Sequence, residues 1–219
     1  MMLPAALHDA LTAPASLTVA LSGGIDSLTL SAAAAIARGA DGVTLCHAVS
    51  PAVPAAATAR VHDFAAARGL TLKLVQSGEF DDPSYRANPV NRCYFCKVNL
   101  YGTLSRMGDV VAAGTNTDDL SDYRPGLIAA EEHNVIHPFV AAGMAKADVR
   151  ALARVLGLGD LSDLPAAPCL ASRIETGLRV EPEELATIDR VETLLRAELG
   201  NITLRCRRMH SGWVIALEG

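Results

Sequence analysis

The stretch Leu17-Thr18-Val19-Ala20-Leu21-Ser22-Gly23-Gly24-Ile25-Asp26-Ser27 decides the fold. An apolar, β-branched run meets two glycines and then a helical pattern beginning at Leu28, so the order is strand, tight loop, helix. The glycines admit positive φ and turn successive backbone N–H groups inward, forming a concave nest of donors. The helix that follows adds the positive end of its dipole. Ser22 and Ser27 can add hydroxyl donors. Asp26 would repel a phosphate unless Mg²⁺ lay between them, so a carboxylate in this loop implies a metal. No Lys-Ser or Lys-Thr follows the glycines to reach a terminal phosphate, and hydrolysis at the γ position is not the natural reading. The plainer alternative is an ordinary Gly-Gly turn.

Outward from this loop, β-rich runs alternate with helical patterns, which predicts an α/β fold, a parallel sheet with helices on both faces. Strands are expected at Thr18–Leu21, Val43–His47, Leu70–Val75, Val110–Ala113 and Val135–His137. Helices are expected at Leu28–Arg38, Ala55–Arg68, Tyr94–Met107, Leu127–Glu132 and Lys146–Leu156. Ligands of such sheets bind outside the carboxyl ends of the strands. That rule gathers the Ser22 loop, the residues after His47, and Gly114-Thr115-Asn116-Thr117-Asp118-Asp119. The Gly-, Pro- and Ser-rich connector 157–173 then leads to a helix over Glu183–Leu199 and two strands, Ile202–Arg207 and Trp213–Leu217. The expected division is a nucleotide domain over 15–158 and a small α+β C-terminal domain over 159–219.

The 219 residues carry a net charge of −5, which provides no broad attraction to nucleic acid. No apolar run approaches the ~20 residues that span a bilayer, and the first residues lack a signal-like pattern; a cytoplasmic protein without a membrane partner is expected. The five cysteines, Cys46, Cys93, Cys96, Cys169 and Cys206, then favour metal ligation or thiol chemistry over disulfides. Cys93 and Cys96 stand one turn apart at a helix start beside Arg92 and Lys97, an arrangement expected to favour thiolate. A pair of small buried residues is the alternative. Cys169 lies in a proline-flanked connector, four residues before Arg173.

The loop resembles the SGGxDS loop of the PP-loop ATP pyrophosphatases, enzymes that hold the β,γ-pyrophosphate and transfer AMP to an oxygen. Four segments together resemble the LarE family of ATP-dependent sulfur transferases: Ser22–Ser27, Asn91–Lys97, Gly114–Gly126 (GTNTDDLSDYRPG) and Pro165–Arg173 within PAAPCLASRI. Lys146–Gly157 also matches, so the resemblance spans most of residues 17–207. It implies that a carboxylate of a pyridinium biscarboxylate mononucleotide is adenylated and converted to a thioacid that feeds a nickel-pincer cofactor. ATP would lie on Ser22, Gly23, Gly24, Asp26, Ser27, Gly114, Thr115 and Asp119, with Asp119 or Asp122 helping to hold Mg²⁺ and Arg124 facing phosphate or anchoring its loop. Cys169 and Asp26 carry the catalytic roles.

Two mechanisms occur in that family. In one, the cysteine matching Cys169 surrenders its own sulfur; in the other, it joins a CxxC pair to bind a [4Fe–4S] cluster carrying an extra sulfide. Cys93, Cys96 and Cys169 suit the cluster type, since three thiolates leave one iron without a protein ligand. Arg173, Arg205 and Arg207 are candidates for the substrate phosphate. Strand alternation puts Arg205 and Arg207 on one face, and a solvated strand face is the alternative reading. Glu192 matches a family acidic position that contacts metal or substrate, or is a solvated helix glutamate.

The chain departs from the family in Leu164, where a lysine is common, and in ending at Gly219 soon after its last strand. The bare strand edge leads to the expectation of a homo-oligomer, a second subunit covering it. The competing functions are a PP-loop tRNA-thiolating enzyme, which needs a basic RNA-binding surface; an amide-forming synthetase, which has no use for three cysteines; and a cluster-binding ATP sensor that releases no pyrophosphate.

Overall fold

The computed structural model describes residues 2–121, 124–163, 168–200 and 202–218. In chain order its elements are α1 (Ala5–Thr12), β1 (Leu17–Ala20), α2 (Ile25–Arg38), β2 (Thr44–Ala48), α3 (Ala55–Ala67), β3 (Thr71–Val75), α4 (Pro83–Arg86), α5 (Arg92–Ser105), β4 (Val110–Ala112), α6 (Pro125–Glu132), α7 (Pro138–Ala141), α8 (Lys146–Val155), α9 (Pro182–Leu199), β5 (Thr203–Met209) and β6 (Gly212–Glu218). Among the described residues no helix is long and apolar enough to cross a membrane.

The first four strands form one parallel sheet in the order β3-β2-β1-β4. The chain runs outward from β1 to β3 on one side and then crosses to place β4 on the other. A switch point therefore opens between the carboxyl ends of β1 and β4, where α/β sheets bind ligands. Register carries it there: Val19 lies opposite both Leu45 and Ala112. Leu17, Thr18 and Val19 are all buried, as a strand covered on both faces requires.

One face of the sheet packs α1, α2, α3 and α8 around Leu7, Leu11, Leu28, Leu30, Phe64, Val149 and Leu152. Ala32, Ala33 and Ala34 are buried within α2, and their small side chains let that helix pack tightly. On the other face, Tyr101 and Leu104 of α5 and Ala129 and Ala130 of α6 close over Cys46 and Val111.

The expected fifth strand at Val135–His137 is reduced to one bridge between Ile136 and Ala112. Ala113 N–H donates to Ile136 O (3.0 Å) and Ile136 N–H to Val111 O (2.9 Å), and the ladder then stops. Pro138 follows at once, lacks the next donor, and sets the φ that starts α7.

A separate apolar cluster joins Tyr85, Leu170, Ala171, Val180, Leu185, Ile188 and Cys206. It seats α9 on the antiparallel pair β5–β6, in which Arg205 lies opposite Ala216 and Arg207 opposite Val214. Backbone bonds tie this part of the chain to the loop after β2 and to α4: Leu170 N–H donates to Ala52 O (2.8 Å) and Val180 N–H to Arg86 O (2.9 Å).

Candidate functional site

The Ser22 loop leaves the end of β1 as the glycine pair requires. Gly23 has φ 81°, and a Cβ there would lie 2.9 Å from Ala57 O. Neighbouring side chains brace the loop from behind. Ser27 is buried; its hydroxyl donates to Gly24 O (2.9 Å) and accepts from Ser22 N–H (3.1 Å), so it shapes the loop rather than facing a ligand. Arg60 donates to Gly23 O (2.9 Å). Buried His47 bridges Leu21 O (2.7 Å) and the Thr58 hydroxyl (3.0 Å), and burial lowers its pKa.

Beside this loop runs the one after β4. Gly114 sits so close to the first turn of α2 that a Cβ would lie 2.9 Å from both Asp26 C and Ser27 N. Asn116 then starts a short 3₁₀ turn over Thr117–Leu120, with Asp119 Oδ2 accepting from Asn116 N–H (3.1 Å) and Asp119 Oδ1 pairing with Arg124 (2.9 Å). Asp119 and Arg124 thus hold their own loop together, and Thr115 is half-buried within it. Asp122 lies outside the described residues, as do Leu164 and Pro165.

A third segment completes the cluster. Thr117 N–H donates to Met144 O (3.0 Å), and Lys146 N–H donates to Asp118 Oδ2 (3.2 Å). The Lys146 ammonium reaches across to Asp26, 2.7 Å from Oδ1 and 2.6 Å from Oδ2. Sequence reasoning missed this lysine, 120 residues from its partner. One signal was available: Lys146 opens a helix, where a cation meets the unfavourable end of the dipole, so another anion must account for it.

The cysteine segments also converge. All five thiols are free. Cys96 and Cys169 both pack against the cluster that contains Tyr85 and Leu170. Arg92, at the start of α5, donates to Ala171 O (2.8 Å) and ties the CxxC turn to the Cys169 segment. The expected thiolate character does not hold for Cys96, because burial pushes its thiol up to about 12 and outweighs the lowering by Lys97. Cys93, by contrast, is exposed. Tyr85 is buried, its hydroxyl finds no partner among the described residues, and its pKa is raised by burial and then by Cys96 and Cys169.

Among the described residues, no three His, Cys, Asp or Glu side chains are grouped to hold a single metal ion. A cluster asks for a different arrangement, since each cysteine binds its own iron. Three free thiols on two segments tied together by Arg92 fit that donor set.

Two of the expected site residues are interior. Arg173 is 5% exposed; its Nε and Nη2 donate to Glu192 (3.0 and 3.1 Å), and its Nη1 to Pro168 O (2.6 Å) and Cys169 O (3.2 Å). It therefore clamps the Cys169 loop from within and does not present its guanidinium to a substrate phosphate. Glu192, 1% exposed, also accepts from Arg196 (2.7 Å) and from Cys206 N–H (3.0 Å). Burial alone would raise its pKa, but the bonds from Arg173 and Arg196 outweigh it and lower the carboxyl. It is neither solvated nor open to a ligand. Arg205 and Arg207 lie half-buried on one face of β5.

Between the two regions, a cavity of about 400 Å³ is lined by Val49, Pro51, Val53, Thr58, Leu170 and Asp189. It joins the carboxyl end of β2 to the residue after Cys169.

No family model matches the chain. An uncharacterised protein of Synechocystis is 38% identical over 194 residues, which cover 86% of this chain and 71% of the relative. An uncharacterised protein of Methanocaldococcus jannaschii is 33% identical over 184 residues, covering 81% of this chain and 68% of the relative. The pyridinium-3,5-bisthiocarboxylic acid mononucleotide synthase of Lactiplantibacillus plantarum is 31% identical over 198 residues, covering 87% of this chain and 70% of the synthase. At that identity and coverage the chain belongs to the LarE family.

Proposed function

We propose that the protein is an ATP-dependent sulfur transferase, which adenylates a carboxylate of pyridinium-3,5-biscarboxylic acid mononucleotide and exchanges the AMP for sulfur. The observation that carries this reading is the conjunction of a tight glycine loop at the β1–β4 switch point with free cysteines on two tied segments. The synthase name borne by the Lactiplantibacillus plantarum relative supports the sulfur-transfer half.

A carboxylate is a poor electrophile because its charge must be displaced with oxide as leaving group. In the proposed first half, a substrate carboxylate oxygen attacks the α-phosphorus of ATP, the Pα–O bond to the β-phosphate breaks, and pyrophosphate leaves with the bonding pair. The Gly23 backbone N–H and those at the start of α2 are the donors proposed for the departing phosphates. Mg²⁺ would be held by Asp26, with Asp119 as the second candidate, and would neutralise charge there. In the second half, sulfur bonds to the carbonyl carbon and AMP leaves, a better leaving group than oxide. A [4Fe–4S] cluster held by Cys93, Cys96 and Cys169 supplies, when bound, an iron without a protein ligand at which an extra sulfide can be carried. Arg92 and Arg173 fix the backbone on either side of Cys169, and Arg205 and Arg207 are the pair proposed for the substrate phosphate.

The test is an anaerobic reaction of iron- and sulfide-reconstituted protein with ATP, Mg²⁺ and the pyridinium biscarboxylate mononucleotide, read by mass spectrometry. A product with sulfur in place of oxygen is expected, with repeated turnover and Cys169 intact. Absence of both adenylated and thiolated product refutes the reading, and one turnover with loss of the Cys169 sulfur refutes the cluster route alone.

A further inference from the structure

We propose that Lys146 is a pyrophosphate-gripping residue whose ion pair with Asp26 fills the cation position of the nucleotide-free loop; the proposal rests on the nucleotide reading given above. The ammonium lies almost equally far from both Asp26 oxygens, 2.7 and 2.6 Å, as a chelated cation would. Neither partner is sealed: the side chains are 34% and 28% exposed, so the pair is open to exchange with solvent ions. Pairs this accessible contribute little to stability, which makes a purely structural role a weak explanation.

The anchoring of Lys146 is uneven in a useful way. Its backbone is pinned, with its own N–H on Asp118 and the preceding Ala145 N–H on Asp148 Oδ2 (2.9 Å). Only the four-carbon arm is left to move, and it carries a compact charge with three donors. The neighbouring cations have other partners: Arg60 holds Gly23 O and Arg124 holds Asp119. Lys146 alone among these three is paired with the carboxylate of the glycine loop, Asp26.

A loop with an acidic residue has two needs. Without nucleotide, Asp26 needs a countercharge; with nucleotide and a divalent ion, that ion takes over and the ammonium is released. The freed arm then sits within reach of the pyrophosphate oxygens and offsets the charge that grows on them as the Pα–O bond breaks. The same exchange makes binding of a bare divalent ion unfavourable, since the ion must displace Lys146 with nothing to receive it.

Two titrations test this with opposite expected signs. Mn²⁺ alone is titrated by electron paramagnetic resonance, and inorganic pyrophosphate with Mg²⁺ is titrated by calorimetry, on the parent protein and on Lys146→Met and Lys146→Gln. The neutral variants are expected to bind Mn²⁺ alone several-fold more tightly and magnesium pyrophosphate at least about tenfold more weakly. Lys146→Arg, which keeps the charge, is expected to stay within a few-fold of the parent in both. Equal pyrophosphate affinity in parent and neutral variants overturns the proposal, as does unchanged Mn²⁺ affinity or an equal loss in Lys146→Arg. Failure of the parent protein itself to bind pyrophosphate or ATP refutes the nucleotide reading instead.

Discussion

Replacing Glu192 by alanine is expected to remove about 4 kcal/mol from the packing of α9 on β5. Glu192 is 1% exposed and accepts four bonds, two from Arg173, one from Arg196 and one from Cys206 N–H. Its loss strands the Arg173 charge, whose side chain is only 6% exposed, and breaking a buried pair in this way costs about 3–5 kcal/mol. Arg196 is 43% exposed and returns to water, so its share is about 0–1 kcal/mol. The Cys206 N–H adds about 1–3 kcal/mol if left bare, but it shares one network with Arg173, so the contributions do not simply add. The assay is urea unfolding followed by Trp213, the only tryptophan, which lies on β6 and reports the region packed on α9. With a slope of about 2 kcal/mol per molar urea, the midpoint should fall by about 2 M. A fall below about 0.5 M would refute the reasoning, since it would mean that Arg173 finds water in place. The paired change Arg173→Met with Glu192→Met should recover most of the loss, because it removes the stranded charge as well.

Acid should weaken the loop before the rest of the fold. Burial lowers the pKa of His47 and of His137, so the unfolded chain binds protons more readily than the native one. The stability they confer is complete above the unfolded value near 6.5 and is lost as pH falls through their lower native values. Melting temperature measured between about pH 7.5 and 5 should therefore decline on acidification, and His47→Gln should start lower but fall less steeply; a parallel slope would exclude His47 as a source. Gly114→Ala puts a Cβ 2.9 Å from backbone atoms of Asp26 and Ser27, neither of which is a flexible side-chain end. Overpacking of this kind costs about 1–3 kcal/mol and should separate the two loops, so magnesium pyrophosphate binding by calorimetry should weaken at least tenfold while far-UV circular dichroism is unchanged. Parent-like binding would show that the loops need not touch.

The strand–loop–helix at Leu17–Ser27 was legible without a structure, because glycine conformation and the change of hydrophobic period are local properties that neighbours in sequence decide. The same holds for the parallel sheet, for α9, and for the alternation that puts Arg205 and Arg207 on one face of β5. What the sequence could not supply was solvation, which depends on every element packed around a group. Helix position and nearby cations argued for a lowered Cys96 pKa, yet burial prevails and raises it. Arg173 and Glu192 looked like surface candidates for a ligand, and packing of α9 against the Cys169 loop turned them into an interior pair. The strand expected at Val135–His137 ended as a single bridge because Pro138 removes the next donor. Lys146 met Asp26 only because the order β3-β2-β1-β4 brings the loops after β1 and β4 to one switch point, and α8 begins beside them. The sequence by itself determined the local backbone and the chemistry on offer; the tertiary structure decided which charges are paired, which are buried, and which side chains face the site, since those are long-range properties of the packed chain.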